Sequence, residues 1–498
     1  MKAFELTQAP LTGTRLIEAS AGTGKTYTIA GLFVRLIVEL GLSVDQILVV
    51  TYTKAATEEL KTRIRNKLLQ TRRGFMGGKS DDPLVAALIR NDDDQRRAAR
   101  ILSDAIVDYD QASIYTIHGF CQRVLHDNAF ETGSLYDTEL IIVPDEIYRE
   151  VADDFWRSRF YDAPPEFIRF TSEKHQVTGP SYFFRLHTGV HALDLEVLPV
   201  IEEPSLDSLE KYRNTCRTVG TEWQQARSTV IALLKDEALN AQKYGSLKPK
   251  EGRPILRTRD GRIAALAAAM DRFAERQSER FPLFKDFEKF TATYLTQATK
   301  KNHRPPTHPF FDLCDRLQSE AEKLQSEMAQ RLLFFKSEYF RYARSQLAVR
   351  KTAKNFQFYD DLLLTVHQAL EKDSGANLLE SIRYRYKAAL VDEFQDTDTI
   401  QYKIFSRIFG GTQSLLFMIG DPKQSIYSFR GADIFSYMAA AARADSKYTL
   451  DQNWRSDPGL IKAVNTIFSR CRDPFLYSEI KFEPGRAGDG ENLSLIHI

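Results

Sequence analysis

Lys25 and Thr26 close the run EASAGTGKT at residues 18–26, and Asp392 and Glu393 open the run DEFQD at 392–396. A lysine and a hydroxyl directly after a glycine-rich turn suit a triphosphate. Backbone N–H groups of the turn surround phosphate oxygens, the ammonium adds a point charge, and the hydroxyl can ligate Mg²⁺. In this reading Ala19, Ser20, Ala21, Gly22, Thr23 and Gly24 form the cradle with Lys25 and Thr26. Gly22 and Gly24 leave the backbone free to turn and to approach the ligand. Ala19 stands where the pattern G-x-x-x-x-G-K-[ST] has its first glycine, and it is small enough for a strand exit. The adjacent carboxylates supply the second half: Asp392 holds Mg²⁺ through its water shell, and Glu393 orients and deprotonates the attacking water. Each half alone has a plainer explanation, since glycine-rich turns occur without nucleotide and paired acids end many strands. Together, in this order, they predict hydrolysis of a nucleoside triphosphate.

Such residues work only if strands and helices bring them together. Apolar runs ending in polar or glycine residues occur in two blocks: RLIEAS (15–20), ILVVTYT (47–53) and ASIYTIHG (112–119), then AALVDEFQD (388–396) and LLFMIGD (415–421). Helical patterns follow, as in Thr26 to Leu40 and Lys54 to Leu69. Continuous apolar strands alternating with helices predict an α/β fold around a parallel sheet, with ligands beyond the carboxyl ends of the strands. The stretch from about 131 to 350 is helical by pattern and carries the basic tracts Lys243 to Arg262 and ATKKNHRPP (298–306). The expected organisation is a first ATPase part over 1–130, a helical insertion over 131–350, a second ATPase part over 351–470 and the start of a further domain at 471–492. The first basic tract is a candidate for duplex phosphates, or an ordinary solvated face.

Composition constrains rather than decides. The 498 residues carry 68 basic and 67 acidic side chains, so a polyanion must be met by a local patch. The four cysteines, Cys121, Cys216, Cys314 and Cys471, form no C-x-x-C pair and read as reduced structural thiols of a cytoplasmic protein. No apolar run is long enough for a membrane span. The terminal LSLIHI (493–498) reads as a translated sequencing adapter, and the natural chain is expected to continue past Asn492.

Further strings carry a family resemblance. VVTYTKAATEELKTRI (49–64), YTIHGFCQR (115–123), FQFYDDLL (356–363, read as a helix), DEFQD, GDPKQSIYSFRGAD (420–433) and LDQNWRS (450–456) resemble, in order, the motifs of UvrD/Rep-like superfamily 1 DNA helicases. Ala19 in place of glycine is usual in that branch. Within it the wording is closest to the helicase-nuclease subunits of RecBCD-type complexes, and AddA-type subunits share the layout. The resemblance implies a RecA-like P-loop NTPase sheet interrupted by a mostly helical inserted subdomain. It implies ATP and Mg²⁺ as cofactors, single-stranded and duplex-end DNA as partners, RecC-like and RecD-like subunits beside it, and 3′-to-5′ movement in double-strand break repair. It assigns Gln424 to sensing the γ-phosphate, Arg455 to a guanidinium contact with it and Trp454 to stacking on adenine. Tyr52, Tyr427 and Phe429 become base-stacking rings, with Lys54, His118 and Arg430 as further DNA contacts. No motif V, motif VI or nuclease motif is present, so the expectation is an N-terminal part that turns over ATP slowly and does not unwind DNA.

Overall fold

The computed structural model describes every residue except 92–94, 133–137, 142–143, 189–197, 199, 246–257, 277–279, 373–374, 412–413, 429–430, 472 and 489–498. It divides into two compact units, residues 1–142, 191–194 and 355–498 in the first, and 143–190 and 195–354 in the second.

Among the described residues eleven strands lie in the first unit: β1 (Lys2–Ala3), β2 (Thr14–Ala19), β3 (Ile47–Thr51), β4 (Ile114–Thr116), β5 (Glu139–Ile141), β6 (Phe356–Phe358), β7 (Ala388–Val391), β8 (Leu415–Gly420), β9 (Ser446–Leu450), β10 (Gln452–Asn453) and β11 (Arg486–Ala487). Seven of them form one sheet in the order β1-β9-β2-β8-β7-β3-β4. Every neighbouring pair is parallel, with Ile17 opposite Ile419 and Val49 opposite Leu390. The residues of β3, β7 and β8 are buried without exception, so these strands read as uninterrupted apolar runs, the mark of a parallel sheet covered on both faces. Helix α1 (Lys25–Leu40) and α2 (Lys54–Gly77) cover one face, sharing a core with Ile17, Ile47, Val49 and Phe417. The helices Ile117–Asp127, Asp361–Glu371 and Thr399–Phe409 cover the other around Leu48, Val50 and Met418. Phe417→Ala empties a fully buried site in the middle strand and should cost about 3–5 kcal/mol, read as a lower midpoint in urea unfolding.

Two elements depart from the sequence reading. β9 lies next to β2 although SKYTL has no apolar run to announce it, its residues being half-buried or exposed. FQFYDDLL is not one helix: Phe356–Phe358 pairs as a strand with Glu139–Ile141, and the helix starts only at Asp361, whose carboxylate accepts from Phe358 N–H at 2.7 Å.

The second unit is built of helices, the longest being Ser208–Leu234 and Pro309–Lys354, packed through Trp223, Phe290 and Phe310. One member of the basic tract is withdrawn from solvent. Arg259 is 2% exposed and donates to the carbonyls of Lys235, Asp236, Leu239 and Gly245, so its charge braces the helix ends instead of facing DNA. Residues 246–257 of that tract lie outside the described residues.

Candidate active site

The carboxyl ends of the sheet strands carry the predicted chemistry. β2 ends on fully buried Ala19, and the chain turns through Ser20–Gly24 into α1. Gly24 is the residue before the helix, with φ +90° and no side-chain cap, so the first N–H groups of α1 keep their capacity for an acceptor. Thr23 Oγ1 donates to Ser20 O at 2.7 Å and closes the turn on itself. Gly22 has φ +81°, and a β-carbon there would lie 2.8 Å from Arg455 Cβ and 2.9 Å from Asn453 Oδ1. Only glycine meets both demands. The end of β10 and the residue after it are sewn to the loop: Trp454 N–H donates to Gly22 O at 2.8 Å and Asn453 Nδ2 to Ala21 O at 2.9 Å. Asn453 Oδ1 in turn accepts from the N–H groups of Arg455 and Ser456. Asn453 escaped the sequence reading, although an Asx residue directly before Trp-Arg is a turn signal. Trp454 is 54% exposed with its ring against Gly488, and Arg455 is exposed.

β7 brings the acids to the same end. Lys25 Nζ lies 2.9 and 2.7 Å from the two carboxylate oxygens of Glu393. Glu393 has φ +48°, a left-handed conformation that costs a side-chain-bearing residue energy and directs the carboxylate out of the strand line. Asp392 N–H continues the ladder to Val50 O, and its carboxylate accepts from Thr51 Oγ1 at 3.2 Å. Burial, then the charge of Glu393, pushes the Asp392 carboxyl up to about 6 against the pull of Lys25. Asp396 is raised to about 6 for the same two reasons, and one of its oxygens is buried without a hydrogen bond. Gln395, 2% exposed, donates to Glu393 Oε2 at 2.8 Å and Asp396 Oδ2 at 3.3 Å, and its carbonyl accepts from Asp421 N–H at 2.8 Å.

Beyond β8, Asp421 accepts from Gln424 Nε2 at 2.8 Å and from Lys423 Nζ at 2.7 Å. Burial raises the Asp421 carboxyl, but Lys423 and Gln424 outweigh it and leave it below the ordinary carboxylate value. The Gln424 amide is thus engaged with its own strand end. Lys423 also reaches Glu18 at 3.9 Å, linking β8 back to β2.

The aromatic candidates split. Tyr52, after β3, and Tyr427, after β8, stack with centroids 6.0 Å apart and planes 14° from parallel. Phe429 and Arg430 lie outside the described residues. Lys54 is exposed at the first turn of α2, whose cap Thr53 accepts from Ala56 N–H at 3.1 Å. His118 sits in the first turn of the helix Ile117–Asp127, stacked on Tyr359 at 4.3 Å with Nε2 3.4 Å from Asp360 Oδ1. A cleft of about 280 Å³ runs between Tyr52, Lys54, His118, Tyr359, Asp360 and Asp398. Its carboxylates suit donors such as exocyclic amino groups of bases, and its ring faces suit base planes. Among the described residues no group of three His, Cys, Asp or Glu forms a metal cage, and no helix is long and apolar enough to cross a membrane.

Comparison with known proteins gives a concordant result. The model of the UvrD/REP helicase N-terminal domain matches residues 2–445. The chain is 36% identical over 501 residues to RecBCD enzyme subunit RecB of Escherichia coli (strain K12), covering 98% of this chain and 40% of that protein. It is 33% identical to RecB of Buchnera aphidicola subsp. Schizaphis graminum, covering 97% of this chain and 39% of that protein. RecB of Haemophilus influenzae is 32% identical, with 95% and 41% covered. The chain therefore spans about 40% of the length of these relatives.

Proposed function

This chain belongs to the UvrD/REP helicase family, and from that premise we propose that it is the ATP-hydrolysing, DNA-gripping part of a RecB-type helicase. The observation that carries the ATPase reading is the direct contact of Lys25 with Glu393, which joins the glycine-rich loop to the acidic strand end at 2.7 Å. Phosphates fit the loop because Gly22 and Gly24 are in left-handed conformations that leave no side chain over the turn, and α1 begins there without a cap. Thr26 and Asp392 offer the hard oxygen donors that Mg²⁺ takes while keeping most of its water. Mg²⁺, when bound, neutralises charge on the phosphates. The chain's own part is to hold the phosphates with Lys25 and the N–H groups of residues 22–26, and to accept the proton of the attacking water on Glu393. A phosphate that draws Lys25 also draws it away from Glu393, freeing that carboxylate for the water. Arg455 is tied beside the loop through Asn453, where its guanidinium is available to a phosphate, and Trp454 supplies a ring face for the base.

The stacked pair Tyr52 and Tyr427 supports single-stranded DNA as the moving substrate, because rings at the ends of two strands accept bases of any sequence. Because its relatives are named as subunits of a RecBCD enzyme, we extend this to work beside RecC-like and RecD-like subunits, and from the resemblance of its motifs to UvrD/Rep-like helicases to 3′-to-5′ movement on DNA ends. The test is ATP turnover of the purified chain with and without oligo-dT. Stimulation supports a DNA-coupled motor; turnover indifferent to DNA would argue for a nucleotide-gated module of another kind. Tyr52→Ala should weaken oligo-dT binding by about 1–3 kcal/mol, roughly 5- to 150-fold, with unstimulated turnover preserved.

A further inference from the structure

Gln395 makes more contacts than a spacer in the DEFQD run needs. Both protons of its amide nitrogen are used on carboxylates, Glu393 and Asp396, and its oxygen takes the N–H of Asp421 on the next strand. That pattern fixes which end of the amide is which, since acceptors surround the nitrogen and a donor meets the oxygen. Its main-chain oxygen also accepts from Ser425 Oγ at 3.2 Å. The neighbour that makes room is Gly420: a β-carbon there would fall inside contact distance of Gln395 Oε1 and 3.0 Å from Gln395 N. Of the hydrogen bonds to the Glu393 carboxylate, the two from Lys25 are those a phosphate competes for. The one from Gln395 is not. On the far side, Asp421 holds Gln424 through its carboxylate while giving its N–H to Gln395.

We propose that Gln395 is a positioning residue that ties the orientation of Glu393 to Asp421, so that the loop carrying Gln424 and the carboxylate on Glu393 shift together. This rests on the reading of Glu393 as the group that accepts the proton of water. A buried amide that merely satisfied one N–H would have no need of a bond to the carboxylate two residues before it. The two substitutions that separate the tasks are Gln395→Glu, which, assayed at a pH alkaline enough to ionise the new carboxyl, keeps an oxygen for Asp421 N–H but removes the donor to Glu393, and Gln395→Met, which removes both at similar volume. In the 498-residue chain, amide hydrogen exchange at Asp421, binding of a fluorescent ATP analogue and ATP turnover are measured for each, with Glu393→Gln beside them. Gln395→Glu should leave exchange at Asp421 within threefold, leave nucleotide affinity within threefold and lower turnover at least tenfold. Gln395→Met should speed exchange at Asp421 at least tenfold and lower turnover as far. In the unmodified chain bound nucleotide should change exchange at Asp421, and in Gln395→Met it should not. Native turnover in Gln395→Glu, or native exchange at Asp421 in Gln395→Met, overturns the proposal; if one variant does not fold, the other decides. Full turnover in Glu393→Gln would instead remove the reading of Glu393, whereas an inactive Glu393→Gln beside unimpaired Gln395 variants sinks the coupling alone.

Discussion

Glu393→Gln should lower ATP turnover by about 10²–10⁴-fold while leaving nucleotide bound, the range expected when a positioned proton acceptor is removed. The substitution keeps the size of the side chain and, with its oxygen at the Oε2 position, still accepts from Lys25 Nζ and Gln395 Nε2, giving up only the second bond from Lys25. What disappears is a negative charge able to take a proton. Steady-state phosphate release measures the first effect, and equilibrium titration with a fluorescent ATP analogue the second. A variant that turns over normally, or one that loses affinity in step with turnover, is incompatible with the role assigned to this carboxylate.

Lys25→Ala acts on both partners of the same contact. It removes the point charge meant for the phosphates, and it leaves Glu393, whose side chain is 33% exposed, without its ion partner. Loss of hydrogen bonds to a charged group of this kind is worth about 1.5–3 kcal/mol, so nucleotide affinity should fall roughly 10- to 150-fold, and turnover to background. Because the two side chains touch, their effects should not add. The double variant Lys25→Ala/Glu393→Gln should turn over no more slowly than Lys25→Ala alone and should recover part of the unfolding midpoint that Lys25→Ala loses. Strict additivity in the unfolding midpoint would mean that the contact at 2.7 Å has no energetic consequence.

The parts of the fold that could be read in advance are those whose burial leaves a trace in composition. β3, β7 and β8 are buried on both faces and spell unbroken apolar runs, and α1 follows its strand with the spacing a phosphate loop requires. β9 left no such trace, because Ser446 to Leu450 contributes pairing to β2 but little fully buried surface. The helical reading of FQFYDDLL overlooked that Asp361 takes Phe358 N–H and so starts a new element. In the site, the sequence named residues but not their company. That Lys25 meets Glu393, that Tyr52 stacks on Tyr427, and that Gln395 reaches Asp421 all depend on which strands are neighbours. A side chain facing a residue hundreds of positions away leaves no periodicity to find. His118 is another such case: its ring lies on Tyr359, brought to it by the turn that follows β6.

The order of the sheet also has a consequence for synthesis on the ribosome. β2 pairs with β8 and β9, and β3 with β4 and β7, so β2 and β3 never touch even though they are made within seconds of each other. Both partners of β2 emerge roughly 400 residues later, a wait of about 20–80 s at 5–20 residues per second. For that interval the nascent chain carries an apolar strand with two open edges, able to recruit any other extended segment nearby. The whole helical unit is made during the same wait and can fold first, since its residues, 143–190 and 195–354, all precede β7. The sheet is then completed by the insertion of β7, β8 and β9 around strands that have stood ready since the start, and a holding chaperone should raise soluble yield more than slower expression of the second block alone.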